Sequence, residues 1–416
     1  MERPLSIAFV VGALEVGGLE TVVLSLGAHL QAVGHQVTIV TCVRRGQWWD
    51  LATAAGLSCV CLPLAKSFCG VRHSRVVGRY LAGHAFDCIV LNDCRYAQAS
   101  LGMLSEKTIA MPIIHNNQND VYATACANPD AWNVAIGVSP KVTQVAQGRV
   151  PGKVVRTVLN GVSAPTPEAF GRRMRLAGKM ALLFVGRVSH RDKGALYLAE
   201  IVRKCVARGI DCELTIVGAG ESLEDVQRRA KQFGLGERVR AVGVLSRDGV
   251  YEEMLKHHVL VMPSHYEGLG LVALEAQACG CVPVASRLQG ITDHALVDGE
   301  TGTLVDVGDV EGFAEAIERL YRDRKLWRTM SERGHSRVES EASVEVMGAA
   351  YEQIIGEALQ GRYPLPKGRR SLPKCDRRVL TWREYVPRPL LGYGRALLRR
   401  ARRGREAGAP RAYGPW

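Results

Sequence analysis

Ser264-His-Tyr-Glu-Gly-Leu-Gly-Leu-Val-Ala-Leu-Glu-Ala276 sets two carboxylates, Glu267 and Glu275, eight positions apart across a glycine-punctuated turn. Ahead of it, His258-Val-Leu-Val-Met262 is an apolar run closed by Pro263, the pattern of a strand buried in a parallel sheet. Behind it, Leu269, Val272, Leu274, Ala276 and Ala278 predict a packed helix. That helix begins near Gly268–Gly270 and carries Glu275 about two turns in. The N–H groups at its start, over Gly268, Leu269 and Gly270, form a seat for phosphate. Carboxylates do not bind phosphate, but they accept hydrogen bonds from the hydroxyls of a sugar and a ribose attached to it. A single Glu is most often a solvated surface group. The pair gains its meaning from the anion seat between them.

Working outward from this stretch, short apolar runs alternate with helical ones. In the first part of the chain the strands are Leu5–Val11, His35–Cys42, Leu57–Leu62, Cys88–Leu91, Ile109–Ile114, Asn133–Val138 and Val154–Leu159, with helices such as Leu19–Leu30 and Val71–Leu81 between them. Residues 163–178 are rich in Pro, Ala and Arg and read as a linker. The alternation then restarts with strands at Ala181–Val185, Cys212–Val217, Val239–Val242, Val282–Ser286 and Gly302–Val305. This pattern predicts an α/β chain of two Rossmann-like parallel-sheet domains facing across a cleft. The expected division is an acceptor-side domain over 1–163, a nucleotide-sugar-binding domain over 164–361, and a basic tail over 362–416.

Composition bounds the rest. The chain has 416 residues, 47% of them apolar, which is enough for two cores. Its twelve cysteines show no C-x-x-C pair and no zinc spacing, so reduced thiols in a cytoplasmic protein are expected. Arg3 ahead of Leu5–Leu14 imitates a signal peptide, but the run lacks a small-residue cleavage site and reads as a first strand. No membrane span is expected. Of 54 basic and 41 acidic residues, 16 and 3 lie in 362–416, which leaves 38 of each in the body. The whole excess of +13 therefore sits in the tail. Its Trp382 and Tyr385, with the Arg-rich stretch 395–405, suit an anionic membrane surface. A disordered basic tail is the competing reading. Nucleic acid is not an expected partner, because the body adds no basic patch to the count.

Three further loops carry candidate chemistry. Gly17 and Gly18 follow the first strand and let the backbone approach a phosphate at the next helix; the spacing does not fit G-x-G-x-x-G. Arg187 follows the restart strand, and Lys193 precedes a helix six positions later. Together they offer a fork and a point charge for a diphosphate. His115 closes the strand Ile109–Ile114 and is placed to touch the transferred group. There is no D-x-D pair, so basic side chains and helix N-termini are expected to replace a metal. His257 and His258 show no partner spacing.

From about Ile7 to Leu359 the chain resembles the family 4 retaining glycosyltransferases. The resemblance is carried by Gly17-Gly18-x-Glu20, Val138-Ser139, Asn160-Gly161-Val162, Gly186-Arg187 with Lys193-Gly194, and Val217-Gly-x-Gly220. Pro263-Ser264, the Glu267/Glu275 pair, Gly290 and Asp298-Gly-x-Thr-Gly302 complete it. Gly290–Asp293 departs from the family, in which a Glu is common there. The resemblance implies the GT-B fold and a final helix, Ser343–Leu359, that crosses back to the first domain. It also implies transfer from a nucleotide diphosphate sugar with retention and without an obligatory metal or other cofactor. By the same resemblance, Glu275 contacts the donor ribose, Glu267 the sugar hydroxyls, and Arg187 and Lys193 the phosphates. The expected acceptor is an envelope polysaccharide, lipopolysaccharide or glycolipid, saccharide or lipid-linked, met at the inner face of the cell membrane. A hydrolysing sugar-nucleotide epimerase and a non-catalytic scaffold remain open as alternatives.

Overall fold

The computed structural model describes residues 3–65, 69–171, 178–366 and 368. The part of the tail that holds Trp382, Tyr385 and the stretch 395–405 lies outside them.

Two parallel sheets build the molecule. The first contains β1 (Ser6–Val11), β2 (Gln36–Thr41), β3 (Ser58–Cys61), β4 (Cys88–Asn92), β5 (Ile109–Ile114), β6 (Ala135–Gly137) and β7 (Val155–Thr157), in the order β3-β2-β1-β4-β5-β6-β7. The second contains β8 (Met180–Val185), β9 (Cys212–Val217), β10 (Val239–Gly243), β11 (Val259–Met262), β12 (Val282–Ser286) and β13 (Thr303–Val305), in the order β10-β9-β8-β11-β12-β13. In the first sheet Phe9 stands opposite Ile39 on one side and Val90 on the other. Both orders reverse direction at one strand, β1 in the first sheet and β8 in the second. A crevice opens beyond the carboxyl end of such a strand, because its flanking connections run to opposite faces. Gly17 and Gly18 follow β1, and Arg187 follows β8.

Strand alternation distributes the core. Leu182 and Phe184 point into a cluster with Ile201, Ile216 and Phe313, whereas Leu183 points to the opposite face. That opposite face is continuous with the core of the first domain, through Leu260, Met262, Leu274 and Val338. The two domains therefore share buried apolar surface.

The last helix, Val344–Leu359, starts under its Ser343 cap and lies against the first domain. Val162 pairs with Ser343, and Gly348 faces the His29 ring. Tyr363, past the helix, is 5% exposed; Asn133 Nδ2 donates to its carbonyl at 3.0 Å and Arg156 Nη1 to its hydroxyl at 2.7 Å. The packed body thus runs beyond Gly361. Among the helices that the sequence reading did not name are Pro140–Arg149, Pro167–Gly171 inside the linker stretch, and the 18-residue Arg324–Glu341. The last buries Trp327, Met330, Ser331, Gly334 and Val338. Ser331 and Gly334 break the apolar stripe that would otherwise announce it.

Candidate active site at the interdomain cleft

The stretch that opens the site folds as strand, loop and helix. β11 ends at Met262, and the helix spans Leu271–Ala278 with Gly270 at its N-cap. Glu275 is the fifth helical residue, about one turn in rather than two, because the loop continues to Gly270 before the helix begins.

The loop is held by the turn that bears Lys193. His265 and Tyr266 donate backbone N–H bonds to the Asp192 carbonyl at 2.9 and 3.1 Å. Gly194, left-handed at φ +63°, sits where a β-carbon would lie 1.9 Å from the Pro263 carbonyl oxygen. Only glycine allows this approach. The result is a fixed distance between two side chains from different strands. Lys193 Nζ donates to Glu267 Oε1 at 2.7 Å, and Ser264 Oγ donates to the same oxygen at 2.7 Å. Glu267 is only 9% exposed, and its charge is held there by the ammonium and the hydroxyl. Both donors use Oε1, which leaves Oε2 able to accept from a ligand hydroxyl.

Arg187 stands apart from this pair. Its guanidinium lies 3.7 Å from Asp192 Oδ2 with the side chain 70% exposed. Glu221 is a second carboxylate in its neighbourhood, held below the ordinary range chiefly by the Ser189 hydroxyl, with Arg187 adding to the effect.

Glu275 is buried on the inner side of the helix. Burial pushes its carboxyl up to about 7, against the opposing pull of the Arg247 charge. Arg247 lies 5.8 Å over the Tyr251 ring, and burial followed by the Glu275 charge pushes the Tyr251 hydroxyl upward.

From the first domain, His115 reaches the cleft at the end of β5. Its Nε2 lies 2.9 Å from Asn92 Oδ1, while Asn92 Nδ2 faces the carbonyls of Val10 and Val90. That amide orientation makes Nε2 the donor and leaves the lone pair on Nδ1. Burial lowers the imidazole to about 3, so it stays neutral. The His115 carbonyl meets the loop of the second domain: a β-carbon on Gly268 would stand 2.0 Å from it.

Gly17 caps the helix Gly18–Ala32, and Gly18 faces the Leu271 side chain. The N-termini of two helices, one from each domain, therefore converge. At the Gly290 loop the Lys141 N–H donates to the Gly290 carbonyl at 3.0 Å, a second bridge between domains.

The structure thus brings together Lys193, Glu267, Gly268 and His115, with Gly18 against the start of the Glu275 helix. Arg187 sits at the rim. Residues missed from sequence are Ser264 as the partner of Glu267, Asn92 as the partner of His115, and Arg247 beside Glu275. Ser264 stood inside the quoted stretch, and Asn92 ends a strand just as His115 follows one. Strand-end position was the signal for both. His257 and His258 are structural: His257 Nε2 bonds Thr215 Oγ1 at 2.9 Å, and His258 Nδ1 accepts from the Ala181 N–H at 2.9 Å. Among the described residues, no group of three His, Cys, Asp or Glu is placed to hold a metal ion.

The constellation can neutralise a diphosphate with cations and helix N-termini, accept sugar hydroxyls on Glu267 and His115, and bury a third acceptor at Glu275. Comparison with known proteins places it in a family. The glycosyl transferases group 1 profile matches residues 172–337, and the glycosyl transferase 4-like domain profile matches residues 17–151. Among curated relatives, the chain is 36% identical over 152 residues to the lipopolysaccharide core biosynthesis glycosyltransferase LpsE of Rhizobium meliloti, covering 36% of this chain and 44% of that one. It is 31% identical over 180 residues to the capsular polysaccharide biosynthesis glycosyltransferase CapM of Staphylococcus aureus, covering 43% and 44%. The chain thus matches less than half the length of either relative. The structure of Anabaena HepE in complex with UDP and glucose superposes with a TM-score of 0.72 at 16% identity, over 85% of this chain and all of that one. That likeness is one of fold, the GT-B arrangement of two Rossmann-like domains. With one profile on each side of the cleft, the chain belongs to the group 1 glycosyl transferases and carries their 4-like domain at its amino-terminal side.

Proposed function

We propose that the protein is a retaining hexosyltransferase. It moves a sugar from a nucleotide diphosphate donor to a saccharide or lipid-linked saccharide of the cell envelope, on the cytoplasmic side. The observation that carries this reading is Lys193 Nζ and Ser264 Oγ converging at 2.7 Å on one oxygen of Glu267, in the loop that leads into the helix bearing the buried Glu275. Glu267 Oε2 and His115 Nδ1 accept hydroxyls of the transferred sugar, and Glu275 accepts those of the ribose. Lys193, Arg187 and the helix N-termini at Gly18 and Leu271 stabilise the departing diphosphate. Neutral His115 polarises without carrying charge into the cleft.

Among the described residues, Glu267 is the buried carboxylate paired with Lys193, and it is tied to the lysine rather than poised as a nucleophile. The step is therefore a front-face displacement. The glycosidic carbon–oxygen bond to the diphosphate breaks, the acceptor oxygen bonds the same carbon from the same face, and its proton passes to the departing phosphate oxygen. Closure of the two domains excludes water and limits hydrolysis. The names of LpsE and CapM, both envelope-saccharide enzymes, support the acceptor class. The cationic groups suffice for the leaving group, so no metal is required.

Thermal-shift screening of the purified protein against UDP-, GDP- and ADP-sugars in excess EDTA tests this. One donor should raise the melting temperature and then turn over with an envelope-type acceptor. Stabilisation or turnover that appears only after Mg²⁺ is added would overturn the metal-free step. No stabilisation by any of the three would overturn the donor assignment.

A further inference from the structure

The two carboxylates of the site are supported very differently. Glu267 has an ammonium and a hydroxyl on one oxygen. Glu275 is 7% exposed, yet among the described residues no N–H or O–H donates to its carboxylate. A buried carboxyl without hydrogen bonds takes up a proton unless a cation nearby holds its charge. The helix Arg247–Lys256 packs against the helix that bears Glu275, and it brings such a cation in its first turn. Its Ser246 cap, whose Oγ accepts the Gly249 N–H at 3.1 Å, fixes where that turn begins.

Arg247 is half-buried and, among the described residues, has no carboxylate at ion-pair distance. Two neighbours fix its guanidinium instead. Nη2 donates to Ser163 Oγ at 3.1 Å, where the first domain runs into the linker, and the group lies 5.8 Å over the Tyr251 ring. Tyr251 stands four positions on, on the same helix face, and is itself within reach of Glu275. Arg247 therefore acts on Glu275 through space, as the charge that opposes burial. The other titratable groups nearby bring no charge. Burial and then Glu275 push the Tyr251 hydroxyl upward, and the same two causes push the Cys279 thiol, one turn along, up to about 12. On the far side of the Glu275 helix the contacts fall on Gln277. A β-carbon on Gly334 would stand 3.1 Å from its side chain, and its Nε2 donates to the Ala295 carbonyl at 2.8 Å.

We propose that Arg247 is a positioning residue for the donor: anchored on Ser163 and Tyr251, it keeps the Glu275 carboxylate ionised so that it can accept both hydroxyls of the donor ribose. An ionised carboxylate is an acceptor only, whereas a protonated one carries an O–H that competes with one of the two hydroxyls. The affinity for a nucleotide sugar then depends on pH through Glu275, and Arg247 sets the pH at which the dependence falls. The inference rests on the reading of Glu275 as the ribose acceptor, but the state of Glu275 can be followed with no nucleotide present.

The test is calorimetric titration of the full-length parent, Arg247→Lys and Arg247→Gln with UDP-, GDP- and ADP-glucose, between about pH 6 and pH 9. For the nucleotide sugar that binds, parent affinity should climb as pH rises through about 7, and Arg247→Lys should follow it. In Arg247→Gln the climb should move up by about one pH unit, the scale of one nearby charge in a protein. That variant should therefore bind about fivefold more weakly at pH 7 and match the parent near pH 9. A loss of the same size at every pH would reduce Arg247 to a structural part and overturn the proposal, as would no loss at all. Without nucleotide, the difference in unfolding free energy between each protein and its Glu275→Gln counterpart follows the same proton. Its change with pH should extend about one unit higher in the Arg247→Gln background. An unmoved limit there would overturn the proposal whatever binds. If none of the three nucleotide sugars binds, the donor reading fails and this ligand-free titration still decides the role of Arg247.

Discussion

Glu275 shows most clearly what burial does to a functional group. Its carboxyl moves from an ordinary 4.5 to about 7, so the folded protein holds that proton more tightly than the unfolded chain does. Stability from this group is fully present below about pH 4.5 and is lost as pH rises through about 7, and the full swing is about 3 kcal/mol. His115 works the other way: lowered from 6.5 to about 3, it favours the folded state as pH rises through that window. The two trends overlap in the parent, so the difference from a Glu275→Gln variant is the informative quantity. In denaturant titrations the variant should gain on the parent progressively between about pH 5 and pH 8. A flat difference would return Glu275 to an ordinary carboxylate. Glu267 and His115 were legible as candidates because each follows a strand's carboxyl end, Lys193 because it precedes a helix, and Glu275 because it stands eight positions after Glu267. Which oxygen pairs with which donor was not legible, because that depends on side-chain directions set by packing.

At the level of elements, sequence period and turn chemistry located most strands within a residue or two, since buried parallel strands read as continuous apolar runs. Helix Arg324–Glu341 escaped because its buried face includes Ser331 and Gly334. One close approach between domains was equally hidden. It consists of the Gly268 α-carbon against the His115 carbonyl, and nothing in a glycine's neighbours in sequence names the carbonyl it will meet. This contact sets the spacing between His115 and Glu267. Gly268→Ala should therefore force the two loops apart, since a β-carbon 2.0 Å from a carbonyl oxygen cannot be relieved by a rotamer. Each loop belongs to its own sheet, so the fold should survive while kcat falls about a hundredfold, the cost of misplacing a reacting group by roughly an ångström. Steady-state kinetics alongside a melting curve would check this. Normal kcat would mean that the contact has no bearing on catalysis.

For the whole molecule, the two-domain architecture was legible in the restart of the strand–helix alternation after the linker. The carboxyl end of the body was placed too early at Gly361, because the boundary was drawn where the basic excess begins, at Arg362, just past the last helix. Tyr363 instead fills a site on the first domain. A chain ending at Gly361 should be less stable than one ending at Gly368 by about 3 kcal/mol, the loss of a buried aromatic side chain. Chemical denaturation of the two truncations would show it, and equal midpoints would place Tyr363 outside the cooperative unit.

The central claim is that Lys193, Glu267 and Glu275 hold a nucleotide sugar for attack from the face of the departing diphosphate. Following the product anomer by proton NMR from the first turnovers, before mutarotation or further transfer, addresses it most directly. Retention of the donor's anomeric configuration is the expected result. An inverted product would require a nucleophile on the opposite face and would overturn the mechanism.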